Sequence, residues 1–237
     1  MRILAFETSA KAASVALLQD GLMLGEYYQN SGQTHSRTLM KMAEDLLDNC
    51  DLSAKNVDAV AAAAGPGSFT GVRIGVAAAK GFSWGRELPC YGVSTLEAMA
   101  ENCRHLDGVI CGAMDARRSQ VYNALFLAEN GELTRLSPDR AISLRELGEE
   151  LRKSEKKIFL VGDGAQLCYN TLQDEIPNLI LLPEQLRMQK ASGVALSAWA
   201  MAQAGLKPNG GELAVNYLRL SQAEREKQER ENQAKSE

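Results

Sequence analysis

Apolar and polar positions alternate along this chain in two rhythms, short runs that read as strands and stripes at helical spacing. Residues 3–7 form a short apolar run and 14–18 a second, which ends at the turn pair Asp20 and Gly21; 22–28 continues the sheet before turn residues at 31–34. A helix is predicted over 34–50, with Leu39, Ala43, Leu46 and Leu47 on one stripe and Met40 and Met42 widening it. The run 57–64 reads as a buried strand, 65–71 as a glycine loop and 71–85 as a helix of unusual kind. Between Gly71 and Gly85 its only charges are Arg73 and Lys80, where an ordinary surface helix shows a broad charged face. Val72, Val76 and Ala79 can face one neighbour and Ile74, Ala78 and Phe82 another, while Gly75, Ala77, Gly81 and Ser83 permit close approach of backbones. Such a helix lies in a deep core or meets a second protein.

The second half repeats the first. After a strand at 88–93, Ser94 and Glu97 make a capping-box pattern and 102–107 reads as a linker. From Val109 the chain starts again, with a strand at 109–114, Asp115 where Glu7 stood, and a returning strand at 121–127 before Asn130 and Gly131. Strand, acidic turn and strand twice over suggests a duplication. Ser143 and Glu146 cap a helix at 144–153; a strand at 158–161 runs into Gly162, Asp163 and Gly164; 180–182 is strand-like, and 192–204 is an apolar helix carrying Trp199. These boundaries divide the chain into lobes at 1–105 and 106–220. A charged tail at 221–237 follows, with too few apolar residues to bury a stripe.

Composition narrows the class. With 237 residues, 45% of them hydrophobic, the chain can bury a sizeable core. A net charge of -4 without a basic stripe argues against gripping nucleic acid unaided. No export signal or membrane-length apolar run is read, and five scattered cysteines suit reduced thiols, so a cytoplasmic location is expected.

The glycine loop is the main chemical candidate. Backbone N–H groups at a helix N-terminus hold anions, and Gly65, Gly67, Ser68 and Gly71 stand at such a junction. A Walker A loop fails for want of a lysine, since Gly71 and Val72 follow Thr70, and the dinucleotide fingerprint fails at the third glycine. Two readings stand, an anion loop or a turn that lets a strand reverse into a helix. Glu7, Asp115 and Asp163 fall at strand ends, where the ligand crevice of such sheets lies; Thr8 and Ser9 extend the polar loop after Glu7. The alternative is that each carboxylate fixes its own turn. His35 and His105 are the only histidines, no zinc spacing exists, and Ser68 lacks a nucleophile elbow, so no catalytic or metal-ligating set is predicted.

The stretches ILAFETSAKAASVALLQDG, GPGSFTGVRIG, LPCYGVSTLEAMA, MDARRSQVYNALF and AVNYLRLSQAER together resemble the TsaB family, also called YeaZ. The resemblance implies an α/β fold of the actin-like type, shared by sugar kinases and Hsp70, with two related lobes. It implies a part in forming threonylcarbamoyladenosine at position 37 of tRNAs that read codons beginning with A, as a non-catalytic partner of the transferase subunit TsaD. The ATPase TsaE would join a larger complex, and tRNA would be met only through it. Catalytic relatives carry a metal-binding His-x-x-x-His motif on the first long helix. In the similar stretch THSRTLMKM, aligning Ser36 and Arg37 leaves Leu39 in a ligand position and His35 out of register. No cofactor is required on this reading, with room left for weak ATP or ADP binding in the loop.

The partner surface expected from the two apolar helices comprises Leu39, Met42, Ala43 and Leu46 with Val72, Gly75, Val76, Ala78, Ala79 and Phe82. The same surface could pair with itself, giving a weak homodimer when the chain is alone. An independent small-molecule kinase or ATPase of the same superfamily is the alternative, with Asp115 as its base; a peptidase finds no support in the residues.

Overall fold

The computed structural model describes residues 1–219; the tail expected at 221–237 lies outside the described residues. The first sheet comprises β1 (Arg2–Glu7), β2 (Ala13–Gln19), β3 (Leu22–Gln29), β4 (Ala59–Ala63) and β5 (Cys90–Val93), in the order β3-β2-β1-β4-β5. The second comprises β6 (Gly108–Asp115), β7 (Gln120–Glu129), β8 (Glu132–Arg135), β10 (Ile158–Val161) and β11 (Leu179–Leu181), in the order β11-β10-β6-β7-β8. A short strand β9 (Arg140–Ser143) pairs with β7 beside β8. Matching β1, β2, β3, β4 and β5 to β6, β7, β8, β10 and β11 makes the two orders identical. The antiparallel and parallel pairings correspond as well. The repeat read from two hairpins therefore extends over ten strands. Its two-residue turns, Asp20-Gly21 and Asn130-Gly131, both hold positive φ, the geometry that matches strand twist.

Helices cover both faces of each sheet. On the outer face of the first lie α1 (His35–Asn49) and α2 (Phe69–Ser83); α4 (Leu144–Leu151) and α5 (Ala165–Leu172) take the corresponding place on the second. Between the sheets sits α3 (Thr95–Glu101), whose Ala98 packs towards the first sheet while Leu96 and Met99 pack towards Ile110 and Phe126 of the second. A short helix α6 (Glu184–Arg187) follows β11. The last helix, α7 (Ala191–Gln203), lies on the first sheet, its Val194, Ala195 and Ala198 against Ile3, Ala5, Ala16 and Leu18. Sequence reading had placed it in the lobe 106–220. Two lone strand-like runs were also missed, β8 and β9, because four-residue edge strands carry little alternation.

Serine caps mark three helix starts. Ser68 accepts from the N–H of Gly71, so α2 begins at Phe69, two residues before the glycine that sequence reading took as its start. At α4 the capping box of Ser143 and Glu146 is complete. At α3 only half forms: Ser94 accepts from the N–H of Glu97, but the Glu97 carboxylate pairs with Arg135 instead of returning to Ser94.

Candidate functional site

Strand β1 ends at Glu7 and delivers Thr8 and Ser9 to the gap between the sheets, where the glycine loop docks on them. The Ser9 carbonyl accepts from the N–H of Ser68 at 2.7 Å, and the Thr8 hydroxyl donates to the Gly71 carbonyl at 2.8 Å. An added Cβ on Gly67 would stand 2.6 Å from the Ser9 oxygen, one on Gly75 2.5 Å from the Thr8 hydroxyl, and one on Gly71 closer still to the Thr8 carbonyl. Gly65, at φ +107°, faces the Asn216 carbonyl, 2.6 Å from where its Cβ would lie. These glycines are present because backbone passes backbone. Packing thus accounts for most of the loop that sequence reading offered as an anion site.

Beside this junction a cleft of about 550 Å³ opens between the lobes. Of the residues predicted for it, Ser9, Gly67, Ser68 and Asp115 line it, together with Asp163. Glu7, Thr8, Gly65 and Gly71 do not, because the loop and turn bury them against one another. Asp115 Oδ1 accepts from the N–H of Arg117 at 2.7 Å, fixing its own turn, and Asp163 accepts from the Gln189 amide at 3.0 Å. Asp163 keeps an open side towards the cleft yet sits low among protein atoms, and burial raises its pKa from the ordinary aspartate value. Glu7 is 1% exposed. Its Oε1 accepts from the N–H of Ser9 at 2.6 Å, and among the described residues its Oε2 has no hydrogen-bond partner. Burial pushes its pKa up to about 7, against the pull of the Ser9 bonds and with help from the nearby Asp163 charge.

The third wall of the cleft is one that sequence reading missed. Residues 208–219 run back across the first lobe: Cys90 donates to the Pro208 carbonyl, Leu213 is buried, and the Asn216 N–H donates to Ala64 at 2.7 Å. Tyr217 then stacks on Phe69 with ring centroids 4.5 Å apart, and Arg73 donates to the Tyr217 hydroxyl while lying 3.9 Å from the Phe69 centroid. Arg219 reaches the second lobe, donating to the Ala116 carbonyl at 2.7 Å. The signal available was the stretch AVNYLRLSQAER, which has no periodicity to mark it as packed.

The expected partner surface needs correction. Leu39, Ala43, Leu46, Val72, Gly75, Val76 and Ala79 are buried, the apolar side chains among them in the core under the first sheet. Met42, Ala78 and Phe82 are half-buried against the same core. An apolar stripe at helical spacing marks the inward face first, and these two helices spend theirs on their own sheet. What α2 leaves outward is Thr70, Arg73, Ala77 and Gly81, with Ile74, Ala78 and Phe82 flanking. Between α1 and α2 runs a groove of about 530 Å³, whose apolar part is Met40, Ala43, Leu47, Ala54 and Phe82. His35, at the start of α1, is 2.9 Å from the Ala10 carbonyl, and Leu39 one turn on is buried.

A family model described as TsaD, tRNA N6-adenosine threonylcarbamoyltransferase, matches residues 28–227. A Bacillus subtilis relative, the tRNA threonylcarbamoyladenosine biosynthesis protein TsaB, is 37% identical over 174 residues, which are 73% of this chain and 76% of that one. The chain belongs to the TsaB family. A crystal structure from Pseudomonas aeruginosa, of a protein described as similar to peptidase YeaZ, superposes with a TM-score of 0.74 at 27% identity. It covers 92% of this TsaB-family chain and 99% of its own. Component A of (R)-2-hydroxyglutaryl-CoA dehydratase from Acidaminococcus fermentans, 13% identical with a TM-score of 0.51, shares the fold alone, over 86% of this chain and 99% of its own. The fold is the actin-like α/β fold of two related lobes. Among the described residues of this family member no helix is long and apolar enough to cross a membrane.

Proposed function

We propose that the chain is a non-catalytic subunit that binds and activates the transferase TsaD in forming threonylcarbamoyladenosine at position 37 of tRNAs reading codons beginning with A. The observation that carries this reading is the outward face of α2. Ala77 and Gly81 are exposed, and an added Cβ on Gly81 would meet nothing within 4 Å. Beside them runs the apolar groove against α1. Small residues permit close helix contact, and a paralogue of the same fold would offer two helices of the same kind. The family membership and the match to a transferase model support the choice of partner. Use of His35 on the Ala10 carbonyl, with Leu39 in the core, supports a chain that does not do the chemistry itself. TsaE would join the larger complex, the free chain would self-associate through the same face, and assembly would be cytoplasmic.

ATP or ADP would occupy the interlobe cleft weakly on this reading, with no cofactor or metal required. A second reading, an independent kinase or ATPase, is favoured by Asp115 and Asp163 facing that cleft. Co-purification with the transferase subunit tests the first. Gly81→Arg places a charge where space is open, so the variant should melt no lower than wild type yet lose at least ~2 kcal/mol of binding and fail to support modified nucleoside formation. A well-folded variant that still binds would put the partner surface elsewhere. Turnover of ATP by the pure chain near ~10 per second would favour the second reading.

A further inference from the structure

We infer that the Arg73 guanidinium is a pre-formed clamp for a carboxylate, and that the transferase helix lying on α2 presents an aspartate or glutamate to it. The inference rests on the reading of α2 as the face that binds the transferase, and names the contact by which that face recognises its partner. Helix α2 carries Arg73 and Lys80 and no acidic residue. Arg73, Ala77 and Gly81 are exposed and recur at helical spacing, so a helix seated on the two small residues also covers Arg73.

The side chain is held ready for that role. Its Nε donates to the Tyr217 hydroxyl at 2.7 Å, and its guanidinium carbon lies 3.9 Å from the Phe69 centroid and 5.5 Å from that of Tyr217. The two rings are themselves stacked, so one nitrogen and one face of a long side chain are fixed before any partner arrives. Ordering of this kind lowers the entropy lost on binding. The two terminal nitrogens remain. Among the described residues neither has a hydrogen-bond partner, and no carboxylate pairs with Arg73. Two parallel N–H groups are the fork that a carboxylate accepts. Phe69 and Tyr217 line the interlobe cleft but Arg73 does not, which leaves its free end to the α2 face.

The surroundings select a protein helix over a nucleic acid. A phosphate backbone is gripped by many cations, whereas Arg73 is followed along its stripe by Ala77 and Gly81 and then, at the end of the helix, by the exposed Trp84. Trp, Tyr and Arg dominate the binding energy of protein interfaces, and here they stand at the two ends of a small-residue centre. A second copy laid α2 on α2 about a two-fold axis would oppose cations to cations. On α1, Glu44 and Asp45 are both taken by Lys41, which leaves a second copy Asp48 as its one carboxylate on that helix without an ion pair among the described residues. The transferase model matches residues 28–227, so it spans both helices. A partner of that kind offers two helices of like geometry with side chains of its own, and the carboxylate belongs to it.

The test measures binding of the full chain to the purified transferase subunit over a range of salt concentrations. Arg73→Gln should weaken binding at least about tenfold and flatten its salt dependence. Arg73→Lys keeps the charge, loses the fork and should weaken binding as well. Tyr217→Phe keeps both rings and releases only Nε, so a loss of roughly two- to tenfold is expected; these two variants decide the matter if Arg73→Gln misfolds. In the Arg73→Lys protein, carbodiimide should join the introduced amine to one aspartate or glutamate of the transferase subunit, and exchanging the two charges, with Arg73→Glu here and lysine there, should restore binding. Wild-type affinity in the folded Arg73 variants overturns the inference. Loss of self-association with transferase binding intact also overturns it, by giving the clamp to a second copy, and loss only of binding to a stem-loop RNA does so by giving it to a phosphate. Failure of the functional reading is seen separately: a wild-type chain that does not bind the transferase subunit defeats both, whereas wild-type binding that Arg73 does not influence defeats this inference alone.

Discussion

The Thr8 hydroxyl donates to the Gly71 carbonyl at 2.8 Å, and the Thr8 carbonyl in turn stands where a methyl group on Gly71 would have to go. Neither atom can yield, since one belongs to the end of β1 and the other to the first turn of α2. Gly71→Ala is expected to destabilise the chain by about 3 kcal/mol, read as a lowered midpoint in denaturant unfolding. Gly75→Ala meets only the Thr8 hydroxyl, a group that rotates, so it should cost less and recover most of its loss when combined with Thr8→Ala. Equal effects of the two single changes would show that the turn moves as a unit.

Gly81 gives the opposite sign. It lies in the last turns of α2, exposed, with nothing near its missing Cβ. Gly81→Ala should stabilise by about 0.5 to 1 kcal/mol through helix propensity, raising Tm by roughly 2 °C in a chain of this length. The melt is read at a dilution where the proposed homodimer is dissociated, and a lowered Tm there would mean that this face is covered within the monomer.

Glu7 sets a pH dependence. An unfolded glutamate titrates near its ordinary value of 4.5, and the buried one near 7. The folded chain therefore binds the proton more tightly. That stabilisation is complete below pH 4.5 and is lost as pH rises through 7. The displacement corresponds to about 3 kcal/mol between the two limits. Glu7→Gln keeps an acceptor for the Ser9 N–H, so the variant should gain on wild type as pH goes from 5 to 8. Parallel stability curves over that range would show that Glu7 stays charged in the fold.

The serine caps of α3 and α4 separate by their partners. Ser143→Ala removes a reciprocal box and should cost about 1 kcal/mol. Ser94→Ala removes only one bond, because Glu97 is engaged by Arg135, and its cost should be unaffected by also changing Glu97 to Gln. At Ser143, the corresponding Glu146→Gln change should be coupled to the serine. Equal coupling at both sites would place the Glu97 carboxylate back on its own helix.

Strand, glycine loop and helix were legible because turn residues interrupt apolar runs at Gly65 and Ser68, and the repeat because Glu7 and Asp115 end corresponding strands. Direction was not legible. Periodicity located the stripe Leu39, Ala43 and Leu46 but not what it faces, and the face it meets is β2 and its neighbours. The cleft's third wall escaped for a related reason. Leu213, Tyr217 and Arg219 are single residues in an extended segment, each held by a partner far away in sequence, and no local pattern records such contacts.

Helix α7 has a consequence for how the chain is made. It is the last helix described, yet it covers the face of the first sheet that carries Ile3, Ala5, Ala16 and Leu18. Strands of that sheet are complete once Val93 has been synthesised, while their cover ends at Gln203. At roughly 5 to 20 residues per second, that interval lasts on the order of five to twenty seconds. Through it a bare apolar surface waits on the ribosome for the other half of the duplication to be translated, so neither half is born as a finished unit.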